Sequence, residues 1–113
     1  MDEHAVREHA EAYCNALLAS DIGRSAEEMS KELRANLGSI VGMLPLPLTE
    51  ASIESIESTP TGYKAAIRLV GEHDTIRLET RWKDRDGRPT MVEASHIPQK
   101  PVEPDPETDE TQE

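Results

Sequence analysis

Between Asp74 and Lys83 the chain alternates strictly, with Ile76, Leu78, Thr80 and Trp82 at every second position and Arg77, Glu79, Arg81 and Lys83 between them. Successive side chains of a strand point to opposite faces, so this period of two describes a strand with one dry and one wet face. Asp86-Gly87 follows, a residue pair that tolerates the positive φ of a two-residue hairpin turn. Three further segments, near 51–58, 62–70 and 88–97, carry strand character. Thr59-Pro60-Thr61-Gly62 and Gly71-Glu72-His73-Asp74 punctuate them. Connections this short make neighbours pair antiparallel, which gives a four-stranded meander. Ala65, Ile67 and Leu69 are expected on the covered face with Ile76, Leu78 and Trp82. In the last segment either Val92, Ala94 and His96 or the residues between them could point inward.

Upstream the period changes to that of a helix. Over residues 4–20, Val6, Ala10, Tyr13 and Leu17 recur at helical spacing, widened by Cys14 and Leu18, with Arg7, Glu8 and Glu11 opposite. Asp21-Ile22-Gly23 is expected to close this helix. Ser25-Ala26-Glu27-Glu28 has the spacing of a capping box and is expected to open a second helix, carried by Met29, Leu33, Leu37, Ile40 and Leu44. That helix is free to bend at Gly38 or Gly42, and Pro45-Leu46-Pro47 ends it. A sheet that is wet on one face needs a cover on the other, and these helices are the apolar material available. The fold class expected is therefore α+β, with two N-terminal helices on the concave face of a curved four-stranded antiparallel sheet.

Composition changes this picture in three ways. From Pro98 onward four prolines and six acids meet the single base Lys100, so a single domain over residues 1–97 is expected to carry a disordered acidic tail over 98–113. The net charge of −11 argues against nucleic acid and anionic membranes as partners. With Phe absent and Tyr13, Tyr63 and Trp82 the only aromatics, the core must be built from aliphatic residues and Met. One cysteine, Cys14, falls in a helical apolar stripe and suits a packed thiol. The charged N-terminal stretch lacks the apolar run of a signal peptide, and no span reaches the ~20 apolar residues of a membrane helix. A cytoplasmic protein is expected.

Two stretches together resemble the nuclear transport factor 2-like superfamily, whose cone-shaped α+β fold hosts ketosteroid isomerases, polyketide cyclases, scytalone dehydratases and binding modules. Ala12-Tyr-Cys-Asn-Ala-Leu-Leu-Ala-Ser-Asp21 is similar to the family's first helix, and Thr80-Arg-Trp-Lys-Asp-Arg-Asp-Gly-Arg88 to its penultimate strand and hairpin. The resemblance spans residues 5–97. Members usually insert a short strand and a further helix where this chain has Leu37 to Leu48, and many enzymes place an acidic base there. No carboxylate or histidine falls between Glu32 and Glu50, so the chain looks like an abbreviated member.

The resemblance puts Tyr13 where the isomerases carry a tyrosine that stabilises a dienolate oxygen. Isomerisation also needs a base and a second donor from the sheet, at Thr80 or Glu79, with Thr80 favoured because it shares a face with Leu78 and Trp82. His96, at the end of the last strand, could line the open end of the cone. His4 and His9 stand five apart on the first helix, a poor match to helical metal pairs, and no metal or other cofactor is expected. The function expected is that of a non-catalytic domain binding a small hydrophobic ligand or a protein partner. Its pocket would be lined by Tyr13, Leu17, Met29, Leu33, Leu78, Thr80, Trp82 and His96. The alternative is an isomerase, cyclase or dehydratase acting on a small hydrophobic carbonyl compound, with Tyr13 as oxyanion donor and His96 or Glu79 as base. A homodimer through the outer face of the sheet is a further expectation, centred on Ala66, Val70 and Met91.

Overall fold

The structure, a computed structural model, describes residues 1–97, and the expected acidic tail lies outside them. Four helices precede four strands: α1 (Glu3–Leu18), α2 (Ile22–Ala26), α3 (Lys31–Arg34), α4 (Leu37–Met43), β1 (Leu48–Thr59), β2 (Gly62–Gly71), β3 (Thr75–Arg85) and β4 (Arg88–Ile97). The strands form one antiparallel sheet in the order β1-β2-β3-β4, the expected meander. Asp86 at φ 57° and Gly87 at φ 81° make the hairpin between β3 and β4, and the Gly87 N–H donates to the Asp84 carboxylate at 2.8 Å.

The first helix is capped by Asp2, whose carboxylate accepts from the Ala5 N–H at 2.9 Å. It ends two residues earlier than the pattern implied. Ser20, at φ 57°, takes the left-handed position, the Asp21 N–H donates back to the Ala16 carbonyl, and Gly23 lies inside α2.

The expected second helix is instead three short ones. Asp21 caps α2, so Ser25 sits mid-helix and donates its hydroxyl to the Ile22 carbonyl at 2.7 Å instead of opening a helix. The capping box is therefore absent. Between α2 and α3 the backbone leaves helical geometry to meet the sheet: the Ser30 N–H donates to the Met91 carbonyl at 2.8 Å and the Met91 N–H to the Glu28 carbonyl at 2.7 Å. Met29 and Met91 thus form a parallel bridge on the outer edge of β4. Ser30 then caps α3 through the Leu33 N–H, and the chain turns at Pro45-Leu46-Pro47 as expected. A Cβ on Gly71 would run into the Pro45 carbonyl, so that loop crosses the end of β2 at a distance only glycine permits.

Register decides which side chains face the helices. Ile53 stands opposite Ile67, Ile67 opposite Leu78, Ala65 opposite Thr80, and Tyr63 opposite Trp82. The ambiguity in the last strand is resolved by a bulge. Arg81 pairs with Glu93 and Trp82 with Met91, leaving Val92 as the extra residue. Met91, Ala94 and His96 consequently share the inner face, opposite Trp82, Thr80 and Leu78. Met91 is fully buried and cannot contribute to the outer face.

The concave side holds the core. Val6, Ala10, Tyr13, Cys14 and Leu17 of α1 pack with Ile67, Leu69, Leu78, Trp82 and Met91. Fully burying an aliphatic side chain of this kind contributes about 1.5–3 kcal/mol. Trp82 is the largest buried side chain, and its indole N–H donates to Thr80 Oγ1 at 2.8 Å while the Thr80 hydroxyl donates to the Ala65 carbonyl at 3.0 Å. Thr80 therefore supplies from within the sheet the partner that a buried indole requires. Thr80→Val keeps the shape and removes that acceptor. It is expected to lower unfolding free energy by about 1–3 kcal/mol in urea denaturation; no change would mean that the indole finds another acceptor.

Candidate functional site

Six of the eight expected pocket residues come together in one interior. Tyr13, Leu17, Met29, Leu78 and Trp82 belong to a single buried cluster, and Thr80 lies among them without solvent contact. Leu33, half-buried, packs against the margin of this cluster. His96 does not join it: the imidazole has an inward register position, opposite Leu78, but is exposed. Glu79 faces the opposite way, opposite Ala66 and Ser95 and 3.2 Å from Arg81, so it cannot act on the interior.

Tyr13 is the anomaly of the interior. Its ring is fully buried, and among the described residues its hydroxyl has no hydrogen-bond partner. Burial, reinforced by the adjacent Cys14 thiol, raises its pKa far above the ordinary phenol value, and burial with nearby Glu11 raises that of Cys14 to about 12. Both groups are neutral at physiological pH. The Thr80 hydroxyl, the expected second donor, already donates to a backbone carbonyl.

Open space lies outside this interior, on both sides of Arg88. One cleft of about 360 Å³ is lined by Glu8, His9, Ala12, Arg24, Glu28, Gly87, Arg88 and Pro89. The other, about 320 Å³, lies between α3 and the β3–β4 hairpin and includes Met29, Ser30, Lys31, Arg34, Arg85, Arg88 and Thr90. Of the eight expected residues, Met29 alone lines either cleft.

The first cleft is organised by Glu28. Its carboxylate is shielded from solvent and meets three side chains from three elements: His9 Nδ1 of α1 at 2.7 Å, Arg24 Nη1 of α2 at 2.7 Å and Arg88 Nη2 of β4 at 3.3 Å. Burial alone would push this carboxyl up, but the hydrogen bonds from Arg24, His9 and Arg88 outweigh it and hold the carboxyl below its ordinary value. The sequence places His9 on the flank of the stripe formed by Val6, Ala10 and Tyr13, and Glu28 next to the core residue Met29. Both positions border the core, where His9 is partly and Glu28 wholly withdrawn from solvent. The spacing of His4 and His9 was the wrong test for them, and the capping-box pattern hid the role of Glu28.

A crystal structure of an NTF-2 like protein of unknown function from Burkholderia xenovorans LB400 is similar over 88% of this chain and 89% of that chain, with a TM-score of 0.57 and 14% sequence identity. This chain has an NTF2-like fold. At that identity the likeness concerns architecture alone. No protein-family model and no curated protein matches the chain. Among the described residues of this NTF2-like domain, no helix is long and apolar enough to cross a membrane, and no group of three or more His, Cys, Asp or Glu residues is arranged to hold a metal ion.

Glu28→Gln keeps the shape and removes the charge on which His9, Arg24 and Arg88 converge. It is expected to cost about 1–3 kcal/mol near neutral pH. Because the folded pKa of Glu28 lies below its unfolded value, its contribution is complete above the unfolded carboxyl value of about 4.3 and is lost as pH falls through the folded value. The stability gap between wild type and variant, followed by urea titration, should therefore narrow in acid. A gap independent of pH would refute a charged role.

Proposed function

We propose that this chain is a non-catalytic binding domain whose interior accepts a small hydrophobic molecule carrying one hydrogen-bond acceptor. The supporting observation is the Tyr13 hydroxyl, a donor without solvent contact and without a partner, surrounded by apolar side chains. Buried polar groups are paired in the great majority of cases, so an orphan of this kind suits an acceptor brought by a guest molecule. A ligand carbonyl would take the O–H, and Leu17, Leu78 and Trp82 would supply apolar contact. The side chains pack closely here, so a guest would have to displace some of them, for which the flexible Met29 and Met91 are suited.

Binding is favoured over chemistry by the surroundings of the same hydroxyl. The enzyme alternative needs a base within hydrogen-bond reach of the substrate, and its two candidates lie elsewhere, His96 exposed at the end of β4 and Glu79 on the outer face. A second partner reading draws on that outer face. Arg68 lies between Ala66 and Val70 on that face and opposite Arg77, and the ion pairs Arg77–Glu54 at 2.6 Å and Arg68–Glu50 at 3.4 Å make it a charged surface with small apolar flanks, which a second copy of the chain could meet through the same ion-pairing groups.

Thermal shift of the full chain against a panel of small cyclic ketones tests the interior reading. A ketone that binds should raise the melting temperature of wild type and lose that effect in Tyr13→Phe, a substitution expected to leave ligand-free stability unchanged or raise it by about 1 kcal/mol. Equal responses in both proteins, or none in either, would count against it. Exchange of ketone α-protons with heavy water catalysed by the wild type would support the enzyme instead. Size-exclusion chromatography addresses the second copy, with Val70→Glu expected to turn a dimer into a monomer; a wild-type monomer would end that reading.

A further inference from the structure

The cleft beside His9 has a polar chemistry that the interior reading does not use. Glu28 Oε1 accepts from both His9 Nδ1 and Arg88 Nη2, and Oε2 accepts from Arg24 Nη1. The carboxylate has no hydrogen to give, so Nδ1 must carry one. With that tautomer Nε2 is an acceptor, and among the described residues Nε2 has no partner. Each guanidinium carries five N–H donors in a planar fork, and the contacts with Glu27 and Glu28 engage one terminal nitrogen of each. Among the described residues, Nε and the second terminal nitrogen of Arg24 and of Arg88 have no partner. Both side chains are nearly half exposed, at 42% and 49%.

The two guanidiniums are thus fixed by one buried carboxylate and line the same cleft with donors to spare, beside an imidazole that can accept. Ala12, Gly87 and Pro89 complete the lining with small or rigid groups that leave room. Within the lining Glu28 and Glu8 balance Arg24 and Arg88, and Glu27 lies 3.6 Å from Arg24, so an anion would be held by directed N–H donors of the half-exposed guanidiniums and not by an excess of positive charge. A volume of about 360 Å³ falls at the small end of the range for ligand sites.

We propose that this cleft binds a protonated oxyanion, inorganic hydrogen phosphate, which keeps a P–OH near neutral pH where the phosphomonoester dianion does not. Two of its oxygens take the spare N–H groups of Arg24 and Arg88, and its P–OH donates to His9 Nε2. Arginine forks match phosphoryl oxygens bidentately, which favours this group over a single point acceptor. The hydroxyl sets the selectivity. Sulfate has the same shape but carries no proton near neutral pH, so it satisfies the arginines and leaves Nε2 facing an acceptor.

Imidazole proton–nitrogen correlation spectra of the full-length chain, titrated with inorganic phosphate near neutral pH, test this directly. The His9 ring signals should shift saturably at millimolar phosphate while those of His4, His73 and His96 stay in place. Sulfate should bind about tenfold more weakly, and Arg24→Gln should weaken phosphate about tenfold, as expected for loss of one charge-assisted contact. Arg24 is chosen because its variant leaves Glu28 paired with His9 and Arg88, and the wild-type titration stands whether or not the variant folds. His9 signals unmoved by millimolar phosphate would overturn the proposal. So would a response shared by all four histidines, or equal affinity for phosphate and sulfate.

Discussion

The carboxylate of Glu28 has no contact with solvent, and a lone charge in that position would be untenable. It is stable because three cationic or proton-donating side chains reach it from α1, α2 and the start of β4, segments separated by 19, 4 and 60 positions in sequence. One buried acid therefore fixes how the helices sit relative to the hairpin. The adjoining backbone does the same work in another form, since residues 28 and 30 exchange hydrogen bonds with Met91. Together these contacts seal the edge of β4 beside the indole of Trp82, so the closed interior and the charged cleft share one origin.

That arrangement explains where the sequence was legible and where it was not. Strand spacing, the Asp86-Gly87 turn and the inward set of β2 and β3 follow from local alternation, because a pleated strand leaves each side chain only one of two faces. Met29, Leu33, Leu37, Ile40 and Leu44 also have helical spacing, yet the helix they suggest is interrupted at Met29. Tertiary pairing with Met91 supplied the backbone hydrogen bonds there, and the local pattern contains no record of it. The inward set of β4 was hidden for a related reason. A single bulge residue, Val92, reverses the alternation, and nothing in the composition of 88–97 marks it.

For the site, the residue types told more than the spacings. Tyr13, Thr80 and Trp82 were recognisable as interior groups, and they are buried together. What the chain could not reveal is that the indole and the Thr80 hydroxyl satisfy each other, leaving the phenol of Tyr13 as the unmatched donor. His96 shows the opposite failure, since it has an inward register position and is nevertheless exposed. The outer cleft combines His9, Arg24, Glu28 and Arg88 from distant positions, and long-range ion pairing of that kind leaves no local periodicity.

The molecule therefore has two chemically distinct regions divided by the same buried acid, an apolar interior with one free donor and a polar cleft with free donors and one free acceptor. Both depend on Glu28 holding α1 and α2 against β4. A double-mutant cycle between Glu28→Gln and Arg88→Gln, measured by urea unfolding, tests that dependence most directly. Because Arg88 is half exposed, the coupling should be about 1 kcal/mol. Single-mutant effects that add to within about 0.3 kcal/mol would show that the two side chains do not support each other, and the account would fail at its centre.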